Sequence, residues 1–278
     1  QKDVIAALPE SKVFTRVIDD LPFLTDAELP SAIRYASEEF IPMPIDEVEL
    51  NWQVLFRSGE KDKNSKTIVF VVASPKSVVA KYVKVLNMAG LRLQALETET
   101  IAITRSIIGD NPYSPTTLII QLGATTTDLA VVSKGLILLT RSISTGGQAF
   151  TRALAQYFNF EMRQAEEYKK VYGLVETQLE GKVFEGLKPV VDVVVGEIKR
   201  VIQSFETKYP QNPIKRVVLS GGGAKLPGFV VYLASSLGLE VQEADPWFSL
   251  SKDKNMLGKL ISEAPNFSVA TGLAQREF

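Results

Sequence analysis

Along the first hundred residues the spacing of apolar positions changes quickly. Val4 to Leu8 is a short buried-strand run closed by Pro9, and Val13 to Ile18 is a second, closed by an Asp19-Asp20 turn and Leu21-Pro22. Leu29, Ile33, Ala36 and Phe40 then recur at helical spacing. Thr25 with Glu28 three residues on predicts a capping box at that helix's start, and Pro42 and Pro44 stop it. Glu47 to Arg57 alternates as a strand does, Ser58 to Lys66 is a charged hairpin loop, and Thr67 to Ala73 is another strand. Ser77 to Ala89 reads as a helix ended by Gly90, and Leu91 to Leu96 as a strand. Residues 13–96 therefore predict a β-α-β-β-α-β unit.

A helix over Thr98 to Gly109 and a linker marked by Asn111, Pro112 and Pro115 separate this unit from a different rhythm. Leu118 to Leu122, Asp128 to Ser133 and Leu136 to Ser142 predict a meander of three strands, followed by Thr145-Gly146-Gly147 and a helix from Gln148 to Tyr157. Residues 161–209 read as helical with breaks at Gly173 and Gly181. The clearest stretch is Pro189 to Tyr209, where Val190, Val191, Val194, Ile198, Val201, Ile202 and Phe205 share a face. Arg216 to Leu219 is a strand, Ser220-Gly221-Gly222-Gly223 a turn and Leu226 to Leu237 a helix. A last helix, Phe267 to Ala274, follows Ala264-Pro265. There is no internal repeat or low-complexity stretch.

Composition narrows the chemistry. A chain of 278 residues implies one or two domains, and 45% hydrophobic with 23% charged residues is ordinary for a globular protein. The net charge of −1 gives no footprint for nucleic acid and no basic block of the kind that coats anionic membranes. With neither Cys nor His in the chain, disulfides, thiolate nucleophiles, histidine bases and most zinc or copper sites are excluded. Any metal would be a hard ion held by carboxylates, hydroxyls and phosphate. Apolar runs such as Thr67 to Ala73 fall far short of the roughly 18 residues of a membrane helix, and QKDVIAALPE has no secretion h-region, so a cytoplasmic chain is expected.

Three turns share one design, a buried strand followed by a glycine-rich turn: Gly123-Ala124-Thr125-Thr126-Thr127, Thr145-Gly146-Gly147 and Gly221-Gly222-Gly223. Glycine lets backbone N–H groups close on an oxyanion, and hydroxyls or a helix N-terminus add donors, so phosphate is the natural guest. One such turn alone says little, because glycines make turns and threonines favour strands.

The order LIIQLGATTTDLAVVSKG, TRSISTGGQAFTRALA, GEIKRVIQSFE, VVLSGGGAKLPGF, FSVATGLA resembles the actin-like ATPases. Within them the chain is similar to the PilM family of type IV pilus assembly and its relative FtsA of cell division, over nearly its whole length; ALPESKVFTRVIDDLP and LETETIAITRS also look PilM-like. The resemblance implies an α/β, actin-like (ribonuclease H-like) two-lobed fold with an α+β, FtsA-type 1C (SHS2-like) insertion. Residues 13–96 would be subdomain 1C, 1–12, 97–113 and 264–278 a remnant of subdomain 1A, and 114–263 the second lobe, with 2B helices at about 161–212. It also implies ATP or ADP, with Mg, as ligand. Gly123, Ala124, Thr125, Thr126 and Thr127 would face the β- and γ-phosphates, and Gly147 would pass the sugar. Glu197, Lys199 and Arg200 would border adenine and ribose, although without the resemblance they read as a solvated helix face. Gly221, Gly222, Gly223 and Lys225 would form the adenosine turn. The implied partners are the N-terminal peptide of PilN, held in a groove between subdomains 1A and 1C, and other platform proteins at the inner face of the bacterial inner membrane; a homo-oligomer is also open.

Two departures from the family pattern stand out. The family's phosphate-1 hairpin, of the type GLDIGS-K, has no counterpart in residues 1–12, so the sequence is expected to be a fragment or processed form lacking the first part of subdomain 1A. Gln121 stands where hydrolysing members carry an Asp that orients hydrated Mg²⁺ and the attacking water. Gln carries no charge to hold a metal shell, and Asp128 on the next strand looks poorly placed to substitute, so no catalytic residue is assigned and hydrolysis is expected to be weak or absent. Four alternatives stay open: an FtsA-like filament protein, which would need a membrane anchor beyond AQREF, a type II secretion component of this fold, a kinase of the superfamily, and a domain whose turns bind nothing.

Overall fold

A computed structural model describes residues 2–59, 65–109, 111 and 113–277. Residues 60–64 of the expected charged loop and Pro112 of the expected linker lie outside them. The chain divides into two compact units, one of Gln1–Glu99 with Leu136–Thr140, the other of Thr100–Gly135 with Arg141–Phe278.

The first unit contains β1 (Asp3–Leu8), β2 (Phe14–Pro22), α1 (Leu29–Ser37), β3 (Val48–Arg57), β4 (Lys66–Pro75), α2 (Lys76–Met88) and β5 (Arg92–Thr98). The expected order of elements is present, but they do not share one sheet. β2, β4 and β3 form an antiparallel sheet in that order, whereas β5 pairs in parallel with β1. Ile18, Val69 and Val71 pack under Leu29 and Ile33 of α1, because alternate strand residues and every third or fourth helix residue face the same layer. The expected Asp19-Asp20 turn is instead a bulge inside β2: Ile18 pairs with Val69 and Leu21 with Thr67, so two charged residues are accommodated without ending the strand. At α1 the Glu28 carboxylate accepts from both the N–H and the hydroxyl of Thr25, at 2.9 and 2.6 Å. This is half of a capping box, and the helix begins one residue after Glu28.

The second unit opens on α3 (Glu99–Ile107), most of which it contains, and carries β6 (Thr117–Leu122), β7 (Thr127–Ser133) and the end of β8 (Leu136–Ile143), whose residues Leu136–Thr140 belong to the first unit. Next come α4 (Gly147–Phe158), α5 (Met162–Tyr172), α6 (Lys182–Lys208), β9 (Arg216–Ser220), α7 (Phe229–Leu237) and β10 (Glu240–Glu243). α8 (Leu257–Glu263) and α9 (Ser268–Ala274) complete it. The five-stranded sheet runs β10-β9-β6-β7-β8, with β6 antiparallel to β7 and parallel to β9. β6 and β9 are therefore central strands whose carboxyl ends lie side by side, the place where open α/β sheets bind ligands.

α6 starts at Lys182, directly after the expected break at Gly181, and runs on through Pro189; Pro189 and Glu185, whose carbonyl loses its donor, are both exposed, so water can serve that carbonyl. One helix start differs from expectation: α7 begins only at Phe229. Gly228 sits at φ +77°, where a Cβ would lie 2.6 Å from the Leu174 carbonyl, so the chain must turn there first. The short β10 and α8 were not legible in the apolar pattern.

Candidate functional site: a glycine-lined cleft at the ends of two central strands

The β6–β7 turn is closed by the Gly123 N–H donating to the Thr126 carbonyl at 2.9 Å. Its outward carbonyls are not left to solvent: Gly147 N–H donates to Gly123 O (2.9 Å) and Gln148 N–H to Ala124 O (2.8 Å). The hairpin tip is thus plugged onto the first turn of α4, whose orphan donors it satisfies. Gly146 makes this possible, since a Cβ there would lie 2.7 Å from Gly123 O and 2.8 Å from the Thr126 nitrogen. Thr127 ties the same corner by donating to the Thr145 carbonyl at 2.7 Å.

The turn after β9 is built equally tightly. Gly221 lies at φ +80° with space for no Cβ beside the Leu122 carbonyl (2.6 Å), and a Cβ on Gly223 would enter the Leu122 side chain at 2.2 Å. The two glycine turns therefore meet across Leu122. Pro265 caps the second from above, its carbonyl accepting from Gly221 N–H at 2.9 Å. Lys225 donates to Glu263 at 2.8 Å, and Asn266 donates to the other oxygen of that carboxylate at 2.6 Å.

Between these turns lies a cleft of about 690 Å³, within the usual range for small-molecule sites. Gly123, Ala124, Gly147 and Gln148 line one side and Gly222, Gly223, Lys225, Leu226 and Asn266 another. α5 contributes Glu166, Lys169 and Lys170, and Phe150 closes the floor. Lys169 is almost completely buried, and its ammonium donates to Gly147 O (3.0 Å), Thr151 Oγ1 (2.9 Å) and Glu166 Oε2 (2.6 Å). Burial alone would raise the Glu166 carboxyl, but hydrogen bonds from Lys169 and Thr151, with the Lys169 charge, outweigh it and hold the group below its ordinary value.

Of the residues expected from sequence, the structure brings Gly123, Ala124, Gly147, Gly222, Gly223 and Lys225 together around this cleft. Thr126 and Thr127 face inward instead, to Asp128 (3.0 Å) and Thr145, and Gly221 serves the packing on Leu122. Thr125 is at the tip of the turn but is not among the lining residues. Glu197 and Arg200 pair with each other on α6, and neither they nor Lys199 line the cleft. The charged wall comes from α5 instead. The sequence reading passed over Gln148, Glu166, Lys169, Lys170 and Asn266. Only the Glu-x-x-Lys-Lys spacing, which stacks three charges on one helix face, offered a signal for the α5 set.

The model of the type IV pilus assembly protein PilM matches residues 1–278. The chain belongs to the PilM family. Its structure matches a PilM-PilN type IV pilus biogenesis complex with a TM-score of 0.85 at 28% identity, over 99% of this chain and 79% of that one. MreB5 of Spiroplasma citri bound to AMPPNP shares the fold at a TM-score of 0.54 and 20% identity, over 71% and 63% of the two chains. Among curated relatives, FtsA of Neisseria meningitidis is 22% identical over 74% of this chain and 53% of its own length. Mbl of Bacillus subtilis is 28% identical over 46% and 47%. The chain spans about half the length of the curated relatives it matches.

This PilM-family site fits an anionic ligand. Three lysines and a set of glycines without side chains line it against one carboxylate. Among the described residues no group of three carboxylates is placed to hold a metal ion, and no helix is long and apolar enough to cross a membrane. Gln121 and Asp128 are direct cross-strand partners, so their side chains share a face of the sheet. Asp128 is committed elsewhere: Ser142 and Thr126 donate to it at 2.5 and 3.0 Å, and it does not line the cleft. Burial pushes its carboxyl up, against those two hydrogen bonds.

Proposed function

We propose that this PilM-family chain is a nucleotide-binding scaffold of the type IV pilus assembly platform, working at the cytoplasmic face of the inner membrane. It would hold the N-terminal cytoplasmic tail of a PilN-type partner. The observation that carries this reading is the match to a PilM-PilN complex over 99% of the chain at a TM-score of 0.85. On the same reading residues 13–96 are the 1C subdomain and 114–263 the second lobe.

ATP or ADP would lie in the glycine-lined cleft. Gly123, Ala124, Gly147 and the Gly222-Gly223 turn would let the ligand approach backbone closely, and Lys170 and Lys225 would supply positive charge. Lys169, buried and triply bonded, would position Gly147 and Glu166. Bound Mg-nucleotide would supply a phosphate charge for these donors to read. Hydrolysis would be slow or absent, because position 121 carries no carboxylate and Asp128 is engaged by two hydroxyls.

The test is calorimetric titration of the chain with a synthetic PilN N-terminal peptide, with and without Mg-ATP. Micromolar binding whose affinity changes with nucleotide is the expected result. Peptide binding indifferent to Mg-ATP would remove the nucleotide part of the reading, and no peptide binding by a folded chain would remove the scaffold part.

A further inference from the structure

Phosphate oxygens can be neutralised by a metal ion or by ammonium groups, and the carboxylates around the cleft decide between the two. Mg²⁺ dehydrates reluctantly and is held by one or two carboxylates together with phosphate oxygens. Glu166 in the cleft, Glu263 at its rim and Asp128 on the strand beside Gln121 each have both carboxylate oxygens engaged by donors. Glu166 accepts from Lys169 on Oε2 at 2.6 Å and pairs with Lys170 through Oε1 at 3.2 Å. Glu263 accepts from Lys225 on Oε1 at 2.8 Å and from Asn266 on Oε2 at 2.6 Å. Asp128 accepts from Ser142 on Oδ1 at 2.5 Å and from Thr126 on Oδ2 at 3.0 Å. A metal ion bound to any of these carboxylates would have to displace a protein donor first.

Position 121 adds an independent observation. Gln121 on β6 stands directly opposite Asp128 on β7, and directly opposed side chains on a sheet interact, like charges unfavourably. An aspartate at 121 would set two carboxylates against each other, an arrangement that a cation between them relieves. The neutral amide removes the repulsion without one. The positive charge that a metal would bring is present in the lining itself, where Lys169, Lys170 and Lys225 stand against Glu166. Lys169 is committed to packing, with its side chain 11% exposed, whereas those of Lys170 and Lys225 are 69% and 37% exposed and free to turn toward a ligand. Exposed ion pairs are weak, so exchanging Glu166 or Glu263 for a polyphosphate of higher charge costs these two lysines little.

We propose that the cleft binds a nucleoside di- or triphosphate without requiring a divalent cation, the charges of Lys170 and Lys225 and the backbone N–H groups of the glycine turns supplying what Mg²⁺ would. The inference rests on the nucleotide reading above and adds to it the counter-charge that the site uses. A cleft of about 690 Å³ is ~9 Å across, within the Debye length of about 10 Å at 0.1 M salt, so both ammonium groups act on a phosphate anywhere in it. One lysine comes from α5 and the other from the turn after β9, so the ligand's charge ties two walls of the cleft together. A metal that arrives on the phosphates is held by the ligand and water, so metal-bound and metal-free nucleotide are both accepted. A nucleotide held in this way is a structural ligand: binding needs only charge and N–H donors, whereas hydrolysis needs an ordered attacking water that nothing at position 121 is charged to hold.

The test is calorimetric titration of the whole chain with ADP and with ATP, each in excess Mg²⁺ and in EDTA. The dissociation constants in the two buffers should agree within about threefold. In EDTA, Lys170→Ala and Lys225→Ala should each weaken binding about tenfold, because a charge-assisted donor is lost. Both lysines are at the surface, and an unchanged circular dichroism spectrum verifies that the variants fold. A thermal scan without nucleotide tests position 121 separately. Gln121→Asp should melt a few degrees lower in EDTA than in Mg²⁺, since its restored carboxylate pair calls for a cation, whereas the unaltered chain should melt alike in both. Nucleotide binding that is present in Mg²⁺ and lost in EDTA would overturn the inference and leave the nucleotide reading standing; binding in neither buffer would remove both. Lysine variants that bind in EDTA as the unaltered chain does, or a Gln121→Asp chain indifferent to Mg²⁺, would also overturn it.

Discussion

At position 146 a single hydrogen atom decides whether the β6–β7 hairpin can dock on α4. The backbone there is extended, so strain in φ is not the issue; the neighbours are. Gly146→Ala should cost about 1–3 kcal/mol, the usual penalty for overpacking, because the atoms it meets at 2.7 to 2.8 Å are all backbone. Gly147→Ala should be tolerated far better, its Cβ meeting Gly123 O and the Lys169 ammonium at 3.6 Å. Urea unfolding of the two variants checks the contrast. Glu166 supports a second prediction at this scale. A carboxylate held below its unfolded value stabilises the fold above that value, and the contribution is lost as pH falls through the folded one. The second unit should therefore weaken on acidification below the ordinary 4.5, and Glu166→Gln should flatten that loss while lowering stability at neutral pH. Asp128, whose carboxyl is raised, contributes with the opposite sign, losing stability as pH climbs from 3.8. Comparison of Glu166→Gln with the unaltered chain at each pH isolates the first effect.

Between elements, the contrast of α2 and α6 is one of burial. α6 buries nine residues along its length, whereas α2 buries none. Native-state hydrogen exchange should find the amides of Lys76–Met88 opening well below the global free energy and those of the α6 interior exchanging only on unfolding of the second unit. Equal protection of both helices in dilute solution would show that half-buried contacts suffice to hold α2. The same contrast explains what the apolar pattern conveyed. α6 was legible over its whole length, because a continuous valine and isoleucine stripe has one period and Gly181 marks the break before it. β10 escaped because four residues at a sheet edge bury too little to leave a pattern.

The whole molecule places one tryptophan in each compact unit, Trp52 in the first and Trp247 in the second. A ligand that binds only the native second unit stabilises that unit by mass action, about 2.7 kcal/mol at a hundredfold excess over Kd. With Trp52→Phe, the thermal transition reported by Trp247 should move up on adding Mg-ATP. With Trp247→Phe, the transition reported by Trp52 should stay where it is. A shift of both together would mean that the two units unfold as one cooperative block.

The family, the fold class and the three glycine turns were determined by the sequence alone, because each rests on local order: strand, turn and helix in fixed succession, with glycine wherever backbone must approach backbone. The identity of the charged wall was decided only by the tertiary structure. Glu197, Lys199 and Arg200 on α6 and Glu166, Lys169 and Lys170 on α5 are equally plausible as one-dimensional patterns. Choosing between them depends on which helix the docking of Gly146 against Gly123 turns toward the cleft.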